Sequence, residues 1–290
     1  MITLENKKIS VNISKNGAEL MSLYHKVKQR EYLWQGDSQF WQRRSPVLFP
    51  IVGRLAENSY YVNGTRYMMT QHGFARDHVF DVIEHKENEA SFILRSSEES
   101  LKQYPFLFSL IITYRLNDNE LLVKWKIMNE DDEIMYFQIG AHPAFNVGDA
   151  SNRLEDYHLH FGKDVTLETK LLDPSTGLVT KGTKQVALNT SRLNLNYDLF
   201  KQDALILEGI NRVTLQSNNQ NHYVEMIFDS FPLLGIWTPI HKEKTPFICL
   251  EPWYGLADTV TVPRELKEKA YINKLKSGET FDAYYTIKIG

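Results

Sequence analysis

The 290-residue chain has a single cysteine, Cys249, so no internal disulfide can form, and that usage fits a reducing compartment. No apolar run approaches the ~20 residues that a membrane-spanning helix needs. The start, Met1-Ile2-Thr3-Leu4-Glu5-Asn6-Lys7-Lys8, lacks the apolar core of a signal peptide. A soluble, cytoplasmic protein is the expectation. Charge of one sign is lacking too: 33 Lys and Arg against 36 Asp and Glu give a formal net charge of −3. Nucleic-acid binding requires a basic field that this chain does not have. A Gly-x-x-x-x-Gly-Lys loop and a Gly-x-Gly-x-x-Gly turn are both missing, which removes nucleotide phosphates and dinucleotides from the leading candidates. No Gly-x-Ser-x-Gly nucleophile elbow is present. With no His-x-x-x-His and no cysteine pair, no metal is expected. What these absences leave is acid–base chemistry without a cofactor.

Helical pattern is scarce and β pattern abundant. Ile9-Ser10-Val11-Asn12-Ile13, Val123-Lys124-Trp125-Lys126-Ile127 and 281–289 alternate with period two. Asn63-Gly64, between Tyr60-Tyr61-Val62 and Arg66-Tyr67-Met68-Met69, signals a hairpin. Short helices are expected at 37–44 and 97–104, and a third at 264–269 behind Pro263. The segment 171–183, with Asp173-Pro174, Gly177 and Gly182, reads as a turn-rich excursion on the surface. Aromatics at 12% and 42% hydrophobic residues suit a broad antiparallel β-sandwich that buries a sizeable core. No alternation of strand with long helix supports a parallel α/β sheet. No segment reads as an interdomain linker, so a single domain over 1–290 is expected.

The stretch Met135-Tyr136-Phe137-Gln138-Ile139-Gly140-Ala141-His142-Pro143 begins as an apolar strand and ends in a histidine. Pro143 disfavours helical geometry at His142, so the strand should stop there with the ring at the rim of the sheet. Four further sites share this grammar of a functional side chain beside Gly or Pro, or at the head of an apolar run. They are His72 in Gln71-His72-Gly73-Phe74-Ala75-Arg76, Arg54 after Gly53, Glu251 before Pro252, and Asp203 ahead of Ala204-Leu205-Ile206-Leu207. Taken singly, each has a structural alternative: a buried Arg54–Glu251 ion pair, or Asp203 as a turn residue. Together they can assemble a proton-transfer site.

At these residues the chain resembles the aldose 1-epimerases (galactose mutarotases), and within them the LacX-type branch. The resemblance runs over nearly the whole chain. It rests on Gly53-Arg54-Leu55-Ala56-Glu57-Asn58 with the hairpin after it, on Gln71-His72-Gly73-Phe74, on Ala141-His142-Pro143-Ala144-Phe145-Asn146 and on Leu250-Glu251-Pro252-Trp253. It implies a large antiparallel supersandwich of the galactose mutarotase type, all-β with few short helices and an open sugar cleft. It also implies Glu251 as the base at the anomeric hydroxyl and His142 as the acid at the ring oxygen. His72 and Arg54 would hold the sugar, and Asp203, with Asp198 and Asp229 as rivals, would accept from ring hydroxyls. Trp237 and Trp253 are candidates for stacking on the sugar.

There are departures. Glu57-Asn58 stands where many mutarotases have Asn-Arg. The run from Gln71 to Arg76 is closer to the hexose-6-phosphate epimerase branch, in which Arg76, Arg43 and Arg44 are available for a phosphate. The partner implied is a small-molecule sugar or sugar phosphate, with no nucleic acid, no membrane and no cofactor; a homodimer is left open. A non-catalytic sugar sensor is the competing class.

Overall fold

Two large antiparallel sheets carry the chain, because most of its apolar residues recur with period two or sit in short runs buried on both faces. The computed structural model describes residues 1–147, 153–162, 165–189, 191–240, 245–259 and 261–290. One sheet has nine strands, with Thr280–Ile289, Glu120–Asn129 and Phe108–Asn117 at its centre. In Thr280–Ile289 the residues Ala283, Tyr285, Ile287 and Ile289 are buried, while Asp282 and Tyr284, on the alternate positions, are exposed. A smaller four-stranded sheet holds the first strands, from Ile2–Glu5 to Arg30–Glu31.

The second large sheet has eight strands. Its path runs Leu178–Val186, Leu167–Asp173, Leu205–Glu208, Leu233–Trp237, Phe247–Tyr254, Ile139–Ala141 and Val47–Leu48, with Ala144–Asn146 also paired to Phe247–Tyr254. Every residue of Phe247–Tyr254 except Tyr254 is buried, so both faces of this central strand are covered. Ile248 and Leu250 belong to the main hydrophobic cluster, which also takes Leu110, Trp125 and Ile287 from the nine-stranded sheet. Phe247, Cys249, Glu251 and Trp253 point to the opposite face, as successive strand residues must. There the sheet forms a cleft.

The Asn63-Gly64 hairpin joins Ser59–Val62 to Thr65–Met68, with φ of 50° and 79° at its two turn residues. Expected helices shrink. Residues 97–104 yield one turn, Glu98–Leu101, with Ser97 and Ser100 forming a capping box. Residues 264–269 yield the 3-10 turn Leu266–Glu268. Residues 37–44 form turns and no helix: the Trp41 N–H bonds to the Asp37 carbonyl, and the chain then leaves so that the Arg44 N–H reaches Glu19 Oε1. The segment 171–183 does lie at the surface with a turn at 174–177, but its flanks are strands. It is the hairpin Leu167–Asp173 and Leu178–Val186 on the edge of the cleft sheet, with a register shift between Lys170 and Leu172. Most of Leu178–Val186 is exposed, so no period-two burial pattern marks it as a strand.

The stretch expected as one strand breaks into Met135–Phe137, Ile139–Ala141 and Ala144–Asn146. The break at His142-Pro143 follows from proline's missing N–H and fixed φ. Both flanking strands still pair with Phe247–Tyr254, through Gly140↔Trp253 and Ala144↔Cys249. His142 therefore sits opposite the middle of the central strand, not at the rim of the sheet.

Candidate active site

His142 enters the cleft from the gap between two short strands, and Glu251 rises from the strand beside it. His142 Nε2 and Glu251 Oε2 are 3.2 Å apart, and the glutamate side chain is only 1% exposed. Register explains the room available to them. Gly235 pairs with Glu251 and Gly140 with Trp253, and both glycines lie under the indole of Trp253. A Cβ on Gly235 would stand 2.5 Å from the Trp253 ring, so only a residue without one lets the ring lie flat across the strands.

His72 approaches from a loop. Its backbone has φ of 68°, its N–H donates to the Gly53 carbonyl at 2.9 Å, and the Gly53 N–H donates to its Nδ1 at 3.1 Å. Because Nδ1 accepts, the ring proton of the neutral imidazole is on Nε2. Gly73, with φ of 70°, permits the turn: its Cβ would fall 2.2 Å from the Phe49 carbonyl oxygen. The His72 and His142 rings meet edge to face at 5.6 Å between centroids.

Aromatics enclose the pair. Trp41 stacks on His142 at 4.9 Å between centroids and 29° between planes, and Trp237 meets the same ring edge-on at 5.7 Å. Trp41 is absent from the sequence expectations, since nothing in 37–44 ties it to a histidine a hundred residues away.

The cleft holds about 450 Å³ and is lined by Trp41, Arg43, Arg54, His72, Arg76, His142, Asp203, Trp237, Glu251 and Trp253, with Gln71 among the remaining lining residues. Arg54 is exposed, reaches Gln71 Oε1 at 3.3 Å and does not pair with Glu251. Arg76, its side chain 15% exposed, donates from Nη2 to the Gln71 carbonyl at 2.6 Å, while its buried Nε makes no hydrogen bond and lies 3.8 Å from Asp77 Oδ2. Arg43 meets Asp77 at 2.8 Å. Arg44 does not reach the cleft: its Nη1 donates to the Met21 carbonyl at 2.6 Å and to Gln35 Oε1 at 3.0 Å. The expectation of Arg44 as a phosphate ligand is therefore corrected. Asp203 lines the cleft with φ of 72°, whereas Asp198 pairs with Lys201 outside it and Asp229 is exposed elsewhere. Glu57, at the family departure, pairs with Arg66 on the surface.

A second cavity of about 540 Å³ adjoins across Asp203 and Ala204. Its described lining includes no histidine and no aromatic, so the acid–base groups belong to the first. Electrostatics there follow from burial. Burial, and then the Asp203 charge, raise the Glu251 carboxyl well above the ordinary range. Burial pushes the His142 imidazolium down to about 3, with Arg76 and Arg43 adding to the effect. His72 is lowered well below its ordinary value, first by burial and then by His142 and the three cleft arginines. Both directions favour one proton held by the His142–Glu251 pair as a neutral acid and a neutral base.

The aldose 1-epimerase family model matches residues 1–272. The chromosomal LacX protein of Lactococcus lactis subsp. lactis is 33% identical over 298 residues, covering 99% of each chain. A galactose mutarotase related enzyme from Lactobacillus acidophilus superposes with a TM-score of 0.94 at 34% identity, over 99% of this chain and 96% of the other. A galactose mutarotase-like protein from Lactobacillus casei gives 0.94 and 34%, over the whole of both chains. A putative aldose 1-epimerase from Escherichia coli, at 14% identity and a TM-score of 0.77, shares the fold. No described helix is long and apolar enough to cross a membrane. With a family model over nearly its full length and relatives at a third identity end to end, the chain belongs to the aldose 1-epimerase family.

Proposed function

We propose that the protein is a cytoplasmic aldose 1-epimerase that interconverts the α and β anomers of an aldohexose. The observation that carries this reading is the 3.2 Å contact of His142 Nε2 with Glu251 Oε2 at the floor of a cleft rimmed by arginines and aromatics. In the ion-pair form, Glu251 takes the proton of the anomeric hydroxyl while His142 delivers one to the ring oxygen. The C1–O5 bond breaks, the C1–O1 double bond forms, and the pair is left neutral. That neutral state is the one burial favours, and it is set for the return: after rotation about C1–C2, Glu251 protonates O1 as His142 removes the proton from O5. His72 Nε2–H and Arg54 donate to sugar oxygens, Asp203 accepts from hydroxyls, and Trp237 covers an apolar face of the ring.

A second reading, a hexose-6-phosphate 1-epimerase, is favoured by Arg76 and Arg43. They share Asp77, and the buried Arg76 Nε has no hydrogen-bond partner, Asp77 Oδ2 standing 3.8 Å away, so this corner of the cleft carries positive charge for an anion. Polarimetry on fresh α-glucose, α-galactose and glucose 6-phosphate tests both. Acceleration that is lost in Glu251→Gln supports the epimerase, and the fastest substrate chooses between the readings. Sugar binding with no acceleration of any of the three points to a sensor instead.

A further inference from the structure

Cys249 and Glu251 are two residues apart on one strand, so their side chains share the cleft face, and His142 faces them from the neighbouring gap. One ligand atom from each residue, an imidazole nitrogen, a thiol sulfur and a carboxylate oxygen, lies within 4.8 Å of the other two, and all three residues are buried. One of the polar atoms is orphaned: His142 Nδ1 is shielded from water and has no hydrogen-bond partner, while Glu251 Oε2 has the His142 Nε2 at 3.2 Å as its neighbour. A buried imidazole nitrogen without a partner is costly, and a carboxylate buried beside it is a natural ligand for a cation.

We propose that His142, Cys249 and Glu251 form a binding site for a borderline-soft divalent cation of the Zn²⁺ type, and that its occupancy switches the catalytic pair off. Nitrogen, sulfur and carboxylate oxygen are the donor set that Zn²⁺ selects, and three protein ligands leave a fourth position open toward the cleft. Ligand atoms of a tetrahedral zinc lie about 3.3–3.6 Å apart given the usual bond lengths. With every separation here within 4.8 Å, the longest closes by at most roughly 1.2 Å. Charge also balances: a thiolate and a carboxylate neutralise the dication, so no net charge is left buried. On binding, the thiol proton and the proton of the His142–Glu251 pair leave to solvent. An ion held there occupies the base and the acid together. That inhibition rests on the epimerase reading; the binding does not.

The test is equilibrium dialysis with Zn²⁺, together with absorption spectra of the Co²⁺-loaded protein. The expected result is one equivalent per chain and a thiolate-to-cobalt charge-transfer band. Cys249→Ala removes the band and weakens binding by roughly tenfold or more, and Glu251→Gln weakens binding to the same degree. Zn²⁺ inhibits mutarotation by the wild type, chelator restores it, and Cys249→Ala is inhibited only at correspondingly higher Zn²⁺. Cobalt bound without the thiolate band, or Zn²⁺ bound equally well by Cys249→Ala and Glu251→Gln, overturns the site. Binding with the band in a protein that accelerates no sugar leaves the site standing and sinks the epimerase reading instead.

Discussion

His142 and Glu251 are 109 residues apart in sequence, yet their facing atoms are 3.2 Å apart on adjacent elements of one sheet. Their separation lets a single proton serve both ends of a hemiacetal, one at the exocyclic and one at the ring oxygen. Glu251→Gln keeps the shape and removes the base. Turnover is expected to fall by about 10²–10⁴-fold, the usual worth of a positioned acid–base group. Sugar affinity should change little. Polarimetry with calorimetric titration of the sugar separates the two, and equal losses in both would sink the assignment.

The pH dependence follows from the same pair. The active state carries one proton. A second proton adds below about pH 3, where His142 titrates, and the last one leaves above the usual carboxylate value of 4.5, because Glu251 is raised. Activity is thus present between these limits, lost on the acid side by gain of a proton and on the alkaline side by its loss. An initial-rate profile that shows no alkaline limb, measured by NMR of the anomers, would remove the pair from the mechanism.

Arg76 distinguishes the candidate substrates. A charge-assisted hydrogen bond to phosphate is worth about 1.5–3 kcal/mol. Arg76→Ala should therefore lower kcat/KM for glucose 6-phosphate by roughly 10–100-fold while leaving glucose within a few-fold. Equal effects on both sugars would place Arg76 outside phosphate recognition.

Gly235 is a steric prediction. Gly235→Ala puts a methyl 2.5 Å from the Trp253 ring, directly across from Glu251. Overpacking of this kind costs about 1–3 kcal/mol. Displacement of the indole should also weaken sugar binding. Urea unfolding and sugar titration of the variant read the two effects, and a variant indistinguishable from wild type would show that the ring moves freely.

Behind the cleft, Asp258 ties the arginine loop to the sheet. Its Oδ1 meets Lys269 Nζ at 2.9 Å, its Oδ2 accepts the Ala56 N–H, and its own N–H donates to the Arg54 carbonyl. Both charged side chains are almost fully buried. Asp258→Ala leaves an unpaired buried ammonium and should cost about 3–5 kcal/mol. Denaturant unfolding measures it, and a loss below 1 kcal/mol would mean that Lys269 escapes to water or sheds its proton easily.

Residues 281–289 and the Asn63-Gly64 turn were legible because their signals are local: period-two burial, and a dipeptide that tolerates positive φ. The edge strand Leu178–Val186 was not, because exposure on both faces erases the alternation that identifies a strand. The helix expected at 37–44 failed because contacts to Glu19 and Trp34 outweigh a weak local propensity.

For the site, the chain by itself carried the residue types and their stiff neighbours: His142 before Pro143, His72 before Gly73, Glu251 before Pro252. Those neighbours act through φ and sterics within one or two residues, so they can be read without a partner. Distance-dependent facts could not. Trp41 on His142, Cys249 beside Glu251, and Arg44 turned toward Met21 all depend on strand register and on loops meeting from far apart in sequence. The sequence determined the β architecture and the chemistry on offer. Only the tertiary structure decided which groups share a proton, because that depends on separations of a few ångströms and on burial, and neither is a property of a local stretch of chain.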